Sequence, residues 1–360
     1  MKKLQIAFLA FVLAACALPA VLLLCGFKNA NRENRPLAQM PKLVSEGALN
    51  LKFSQGFDKF IDDNFALREY LITACNTASA KVMGDYNGQS AVIGKNGYLY
   101  YSESCDDYLG INCLTDDMIS SAADYLYALQ EELAGQGRSF VFIVAPNKAT
   151  VYSEYMPDYL KPTDAQRNIK ALQQELKNRG VNFIDAAALL ESAKQSYDLP
   201  LYYMRDSHWN NLGACLVYNA LAERIGLERY DESAFTAEAD YSGDLVNFVY
   251  PAAPHYEQRL VYTFPREYTA VDHQVNFDMF KVNETESQAN DVTLLMYHDS
   301  FGKSLQPFFS PAVGRLVMLK SNSPIYSAGD AMDYEADAVI IELVERNLDL
   351  LYEYAARNGY

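Results

Sequence analysis

Positive charge is scarce in this chain. Thirty lysines and arginines stand against 46 aspartates and glutamates, a formal net charge of -16. Such a field repels polyphosphate, which needs cationic surface to release counterions, so nucleic acid is excluded as a partner. A neutral or small-molecule substrate fits the charge better. Six cysteines, at 16, 25, 75, 105, 113 and 215, form no Cys-x-x-Cys pair and no cluster with zinc-finger spacing, which argues against a structural zinc site. Histidine occurs four times, never as His-x-x-x-His, and tryptophan once. There is no internal repeat and no low-complexity tract.

What is present is a folding composition. Half of the 360 residues are apolar, 13% are aromatic, and tyrosine (27) outnumbers phenylalanine (18). That length can bury one large core or two modest ones, and that much tyrosine is compatible with sugar-facing surfaces. After Met-Lys-Lys, residues 4–27 are apolar almost without interruption, long enough to cross a hydrocarbon core of roughly 30 Å. Two readings apply. Leu13-Ala14-Ala15-Cys16 has the look of a lipoprotein cleavage box, but residues 17–25 stay apolar where a mature lipoprotein turns polar. An uncleaved signal anchor at 1–27, with Lys2 and Lys3 held inside, is the expectation, and it places the body of the protein outside the membrane.

Residues 28–90 read as a stalk and a short amphipathic helix carrying Phe57, Phe60, Ile61, Phe65 and Leu67, expected to dock on the main domain at 91–360. Asn96-Gly97 predicts a hairpin turn. From Thr115 the chain alternates helix and strand: a helix capped by Thr115 and ended by Gly135, a strand at 140–144, a helix opened by a Thr163-x-x-Gln166 capping box and closed by Gly180, and a strand at 181–184. Tyr202-Tyr203 ends a further short strand, and residues 210–225 form a buried helix. The rhythm lapses at 227–290, read as an irregular or β insertion. It then returns with strands at 292–297, 315–319 and 337–343 and helices at 301–309 and 345–357. Short connections between alternating elements predict a largely parallel sheet covered by helices on both faces.

In such a sheet, ligands are handled where strands end at their carboxyl edge. Ser300 has that address, at the end of Leu294-Leu-Met-Tyr-His-Asp-Ser. A serine hydroxyl is a weak nucleophile until a base takes its proton, and Asp206-Ser207-His208 offers a base with an orienting carboxylate. The backbone N–H groups of Ser300 and Phe301, ahead of a helix, are candidates for an oxyanion site. Plainer readings stand beside this one: Asp206 or Ser207 as a helix cap, Ser300 as a turn residue, or a metal held by Asp206, His208, His298 and Asp299. His298 is read as packed or as shaping the turn at Ser300, and Trp209 as core or pocket wall. Asn283-Glu-Thr matches a glycosylation acceptor, and Cys105 and Cys113 bracket a loop that a disulfide would close in an oxidising compartment.

The ordered set Gly94-Lys-Asn-Gly-Tyr-Leu99, Ala145-Pro-Asn-Lys-Ala-Thr-Val-Tyr152, Asp206-Ser-His-Trp-Asn210 and His298-Asp-Ser-Phe301 resembles the SGNH-hydrolase-like domain of the alginate O-acetyltransferase proteins. It is especially similar to the related bacterial group with an Asp-His-His-Trp motif, a likeness that extends to Glu33-Asn-Arg-Pro-Leu37 and Asp62-Asp-Asn-Phe-Ala-Leu-Arg68 and covers roughly residues 30–350. The resemblance implies a three-layer α/β/α, flavodoxin-like domain with a mostly parallel sheet, membrane-anchored and extracytoplasmic. Asp206 becomes the orienter, His208 the base and Ser300 the nucleophile; Asn147, Lys148, Trp209 and His298 become substrate-side candidates, and no cofactor is called for. Two positions depart from the pattern: Ser207 replaces the first histidine of the motif, and His298 stands where a Gly-Asp-Ser block has glycine. No Gly-x-Asn-Asp block is present, so a second oxyanion donor is unassigned. The implied activity is transfer or removal of an O-acetyl group on a cell-surface or secreted polysaccharide, with an integral-membrane acyltransferase as the expected partner for transfer. The alternative from another class is a non-catalytic envelope protein that binds glycan or organises a synthesis complex.

Overall fold

The computed structural model describes residues 2–27, 36–45, 47–83, 90–253, 255–264, 267–271, 282–320 and 326–360. It divides into two units, Met1–Gly88 with Val246–His255, and Gln89–Leu245 with Tyr256–Tyr360. The first holds helices α1 (Lys2–Leu24), α2 (Phe53–Asn64) and α3 (Arg68–Met83). By length and composition, α1 can cross a membrane. Within this unit the Asn76 side-chain amide donates to the Val249 carbonyl at 2.7 Å, and the Ala252 N–H to Thr73 Oγ1 at 3.0 Å. The Glu33–Arg35 part of the stalk lies outside the described residues.

The second unit opens with a hairpin, β1 (Ala91–Ile93) and β2 (Leu99–Tyr101), turned at Asn96 and Gly97 with φ of 56° and 82°. Its main body comprises α4 (Asp116–Gly135), β3 (Ser139–Ala145), α5 (Asn168–Arg179), β4 (Phe183–Ile184), α6 (Ala186–Ala193), α7 (Asn211–Ile225), β5 (Phe235–Tyr241), β6 (Glu257–Tyr262), β7 (Tyr268–Ala270), β8 (Val282–Ser287), β9 (Thr293–His298), β10 (Arg315–Lys320), β11 (Ala338–Val344) and α8 (Leu348–Arg357). Among the described residues the central sheet has seven strands, ordered β4-β3-β11-β9-β10-β8-β7. The five from β4 to β10 are parallel, and β8 and β7 complete one edge antiparallel.

Strand periodicity explains the layering. Leu294 and Met296 of β9 and Val141 and Ile143 of β3 join one core with Leu212, Leu216 and Leu221 of α7. Leu295 and Tyr297, with Phe140 and Phe142, face the opposite core with Ile119 and Leu126 of α4, Leu172 of α5 and Leu351 of α8. Successive side chains point to opposite faces, so a strand buried on both sides reads as a continuous apolar run rather than an alternating one. Much of the tyrosine is spent here and not on a sugar-facing surface. Tyr100, Tyr202, Tyr218 and Tyr297 are fully buried, and Tyr125 places its hydroxyl on the Tyr326 carbonyl at 2.7 Å, as a buried phenol requires.

Thr115 caps α4, its Oγ1 accepting from the Met118 N–H, and Gly180 ends α5 in the left-handed region. Several sequence expectations need correction. Helix α5 starts at Asn168, because Thr163 is used in a turn, donating to the Gly110 carbonyl at 3.1 Å and accepting from Ala165 N–H. Tyr202 makes a single bridge to Trp209 in place of a strand. The helix after Ser300 is two short turns, Gly302–Leu305 and Gln306–Phe309. Residues 227–290 are not wholly an insertion, since β8 pairs with β10 through five residue pairs and extends the central sheet. Cys105 and Cys113 are free thiols, one buried and the other exposed, donating to different carbonyls. Asn283 sits in β8 with its amide nitrogen on Gln306 Oε1 at 3.0 Å, a poor place for a glycan acceptor.

Because Leu295 is completely buried in the layer against α4 and α8, Leu295→Ala is expected to lower unfolding stability by about 2–5 kcal/mol. Urea denaturation measures this, and a loss below about 1 kcal/mol would show that this layer collapses around the cavity.

Candidate active site

Ser300 leaves the carboxyl end of β9, and the Asp206-Ser207-His208 segment leads into α7, whose first turn is capped by Asn210 Oδ1 accepting from the Leu212 and Gly213 N–H groups, each at 3.0 Å. Folding brings these stretches together. His208 Nε2 lies 2.8 Å from Ser300 Oγ, and His208 Nδ1 lies 2.7 Å from Asp206 Oδ1. With Nδ1 carrying a proton toward Asp206, Nε2 is left to accept the serine proton. Asp206 is buried and accepts from four donors: His208 N–H at 2.9 Å and Nδ1 on Oδ1, and Tyr241 O–H at 2.6 Å and Asp244 N–H at 3.0 Å on Oδ2.

These contacts set the protonation states. Burial pushes the Asp206 carboxyl up, but the hydrogen bond and charge of His208, with the Tyr241 hydroxyl and the Asp244 N–H, hold it below the usual carboxylate range. His208 is pulled down by burial and raised more strongly by the hydrogen bond and charge of Asp206, with a further contribution from Asp244; its net direction is upward. Asp244 Oδ2 is 3.7 Å from His208 Nδ1 and accepts from Ser207 Oγ at 2.7 Å, while Oδ1 accepts from Ser207 N–H at 2.8 Å. Burial and the charge of Asp206 raise the Asp244 carboxyl.

The turn at Ser300 is braced from beneath by two carboxyl groups. Asp299 accepts from Phe301 N–H at 2.8 Å and Val344 N–H at 2.7 Å, tying the turn to the end of β11. Glu342 Oε2 accepts from the N–H groups of Asp299 and Gly302, each at 3.0 Å, and the Glu342 carboxyl is pushed well above its ordinary range by burial and then by the charge of Asp299. Phe301 N–H is therefore spent on Asp299 and cannot serve an oxyanion. Among the described residues, Ser300 N–H has no protein acceptor.

The four substrate-side candidates are buried and engaged by the protein. Asn147 donates its side-chain amide to Asp107 Oδ2 at 2.9 Å and its backbone N–H to Glu345 Oε2 at 2.9 Å; burial pushes Asp107 up to about 7. Lys148 Nζ donates to the carbonyls of Tyr203, Met204 and Asp206 at 3.1, 3.0 and 2.6 Å, beside the Tyr100 ring. Burial lowers its ammonium to about 8. It ties down the loop that carries Asp206 instead of facing solvent. Trp209 packs edge-on against Phe301, with Nε1 on Ser304 Oγ. His298 donates from Nδ1 to the Asp299 carbonyl at 2.6 Å and is kept neutral by burial. A side chain on Gly302 would begin 2.4 Å from His298 Cβ, so Gly302 supplies the room that a histidine at 298 needs.

The four-residue metal set is not assembled either, because His298 and Asp299 are committed within the turn. Asp206, His208 and Asp244 do converge, with candidate ligand atoms within 4.8 Å of one another, but His208 Nδ1 already bonds Asp206. Asp244, Tyr241 and Glu342 were not foreseen. Glu342 had a signal, a lone acid inside the apolar run Ala338–Val344, where a carboxyl must find buried donors. Asp244 had none, lying in the irregular stretch.

The family model for the SGNH hydrolase-like domain of the acetyltransferase AlgX matches residues 91–296, more than half of the chain. The chain belongs to this family. Its sequence is 26% identical over 224 residues to the probable alginate O-acetylase AlgJ of Pseudomonas aeruginosa, covering 59% of this chain and 54% of that protein. It is 24% identical over 209 residues to the protein of the same description from Pseudomonas putida, covering 56% and 52%. The chain thus spans about half the length of the curated relatives it matches. Its fold is similar to that of a DHHW family protein from Eubacterium siraeum (TM-score 0.57, 18% identity, 76% of this chain and 97% of that one). It is also similar to Bacillus cereus PatB1 carrying a sulfonyl adduct (TM-score 0.52, 16% identity, 74% and 99%). The SGNH-like α/β architecture with a mostly parallel sheet is the fold of this chain.

The charge of Asp244 favours the protonated form of His208. Asp244→Asn is expected to move the His208 titration to lower pH, and with it the pH below which the base is lost. NMR titration of the His208 ring measures this; an unmoved or higher midpoint counts against the electrostatic account.

Proposed function

We propose that this protein is an extracytoplasmic O-acetyltransferase or acetylesterase that acts on a cell-surface or secreted polysaccharide through an acetyl-Ser300 intermediate. The observation that carries the reading is the unbroken relay from Asp206 through His208 to Ser300, with contacts of 2.7 and 2.8 Å. Membership of an acetyltransferase family and two relatives described as probable alginate O-acetylases support the acyl group and the polysaccharide. The apolar helix α1 supports an anchor ahead of a stalk and an SGNH-like domain, on the outer face of the membrane.

The chemistry follows from the proton positions. Ser300 Oγ attacks the acetyl carbonyl while its proton passes to His208 Nε2, and Asp206 stabilises the imidazolium. Collapse of the tetrahedral species breaks the bond to the leaving oxygen, which takes the proton back from His208. In the second half, His208 removes a proton from a sugar hydroxyl or from water as that oxygen attacks the acetyl-serine, and Ser300 recovers the proton when it leaves. Transfer and hydrolysis differ only in the acceptor. A recess of about 390 Å³ bordered by Pro200, Tyr203, Tyr256 and Gln258 adjoins the loop that leads to Asp206, and the Tyr203 and Tyr256 rings suit a sugar ring. For transfer, an integral-membrane acyltransferase is the partner that would supply the acetyl group.

With the purified full chain and 4-nitrophenyl acetate, Ser300→Ala and His208→Ala are each expected to lower turnover by about 10³-fold or more. Intact-protein mass spectrometry should show one acetyl group on the parent and none on Ser300→Ala. Parent-like turnover in Ser300→Ala would sink the acyl-serine reading and favour a glycan-binding role for the fold.

A further inference from the structure

We propose that Arg346 is the second oxyanion donor of this site, acting with the backbone N–H of Ser300. The inference rests on the acyl-serine reading above and names a catalytic group that the motif pattern leaves vacant.

Four observations converge on Arg346. The first is topology. Strands β9 and β11 are parallel neighbours in register at Tyr297 and Ile341, and the bond from Val344 N–H to Asp299 Oδ2 at 2.7 Å keeps their carboxyl ends level beyond the sheet. Ser300 follows Asp299 by one residue and Arg346 follows Val344 by two, so the two emerge side by side from one edge.

The second is the pose of the guanidinium. It lies 5.6 Å from the centre of the Phe301 ring and 5.2 Å from that of Tyr101. Phe301 is the residue after the nucleophile, and its ring centre is 4.7 Å from that of His208. The cation is thereby held against Phe301, whose ring borders that of His208, and its charge opposes protonation of His208. Stacking on two rings fixes a guanidinium plane while leaving its N–H edge free to donate.

The third is the absence of a competing anion. In a chain with 46 acidic residues, no acceptor for the Arg346 guanidinium is found among the described residues, and the adjacent Glu345 carboxylate is turned to Asn147 N–H and Thr150 Oγ1 at 2.9 and 2.6 Å. A half-buried cation over the ring of the residue after Ser300, with no carboxylate partner among the described residues, is available for charge that appears during the reaction.

The fourth is elimination. Asp299 and Glu342 consume the N–H groups of Asp299, Phe301 and Gly302, which leaves Ser300 N–H as the backbone donor of the turn. Lys148 and Trp209 have their donors committed to protein acceptors, and the Asn147 amide nitrogen is tied to Asp107. A single backbone N–H is a weak oxyanion site, and a fixed guanidinium in a poorly solvated setting supplies both a donor and a full charge. When Ser300 Oγ bonds to the acetyl carbon, the carbonyl π electrons move to oxygen; Arg346 meets that negative charge, and releases it when the carbonyl reforms and the leaving oxygen departs with the proton from His208.

The test uses the full chain and 4-nitrophenyl acetate, an uncharged ester with no sugar. Arg346→Gln is expected to lower kcat by about 100-fold with KM changed by less than about threefold, because the interaction exists only with the charged intermediate. In Arg346→Ala, added guanidinium ion is expected to restore part of the lost kcat, which a merely structural side chain would not allow. A kcat for Arg346→Gln within about threefold of the parent, a change confined to KM, or a loss in Arg346→Ala that guanidinium leaves unrepaired overturns the assignment. Ser300→Ala run alongside separates the two claims. An active Ser300→Ala defeats the acyl-serine reading, whereas an inactive Ser300→Ala beside a fully active Arg346→Gln defeats only the role of Arg346.

Discussion

The site depends first on one buried carboxylate. Asp206 gathers His208, Tyr241 and Asp244 around its two oxygens, and its own backbone carbonyl is held by the Lys148 ammonium at 2.6 Å. A buried carboxylate without such donors would take up a proton or drive the loop open. Meeting that requirement recruits the end of β5 and the segment after it, so a stretch that looks like an insertion supplies part of the wall of the site. It also sets the state of the chemistry, since the same four bonds that keep Asp206 charged keep His208 oriented with Nε2 toward Ser300.

A second pair of acids works in the opposite way. Glu342, its carboxyl pushed up by burial, and Asp299 both accept backbone N–H groups, and together they pin both ends of the Ser300 turn to β11. Their cost is the loss of backbone donors that a nucleophile turn would otherwise aim at an oxyanion. On the proposed acyl-serine chemistry the site would then draw its donors from side chains, and the arginine that follows β11 lies over the Phe301 ring at that edge. The histidine at 298 belongs to the same arrangement: it lies under the turn as a neutral, buried ring, made possible by the missing side chain at Gly302.

Much of this was legible in the residues. Continuous apolar runs gave β3, β9 and β11, because a strand covered on both faces cannot alternate. Thr115 and Gly180 marked helix ends, because the free N–H and C=O groups there demand particular side chains or φ angles. The Asp206, His208 and Ser300 set was visible as chemistry with an address, and the ordered motifs pointed to the family. The capping box at Thr163 and the strand at Tyr202 were misread for one reason, and the same reason left open which partners Asn147, Lys148, Trp209 and His298 would take. Local pattern shows that a polar group needs a partner, and it does not show which partner the fold provides.

The sequence by itself determined the alternation of helix and strand, the apolar helix at its start, and the presence of an aspartate, a histidine and a serine whose side chains suit an orienter, a base and a nucleophile, since these follow from periodicity and side-chain chemistry along the chain. Only the tertiary structure decided that residues 92 positions apart meet at 2.8 Å, that β8 closes onto β10, and that Asp244, Glu342 and Arg346 lie against the segments that carry His208 and Ser300. Those contacts arise from strand order and burial, which join stretches with no local signal of one another. A buried polar atom must take its partner from whatever the folded chain brings within reach.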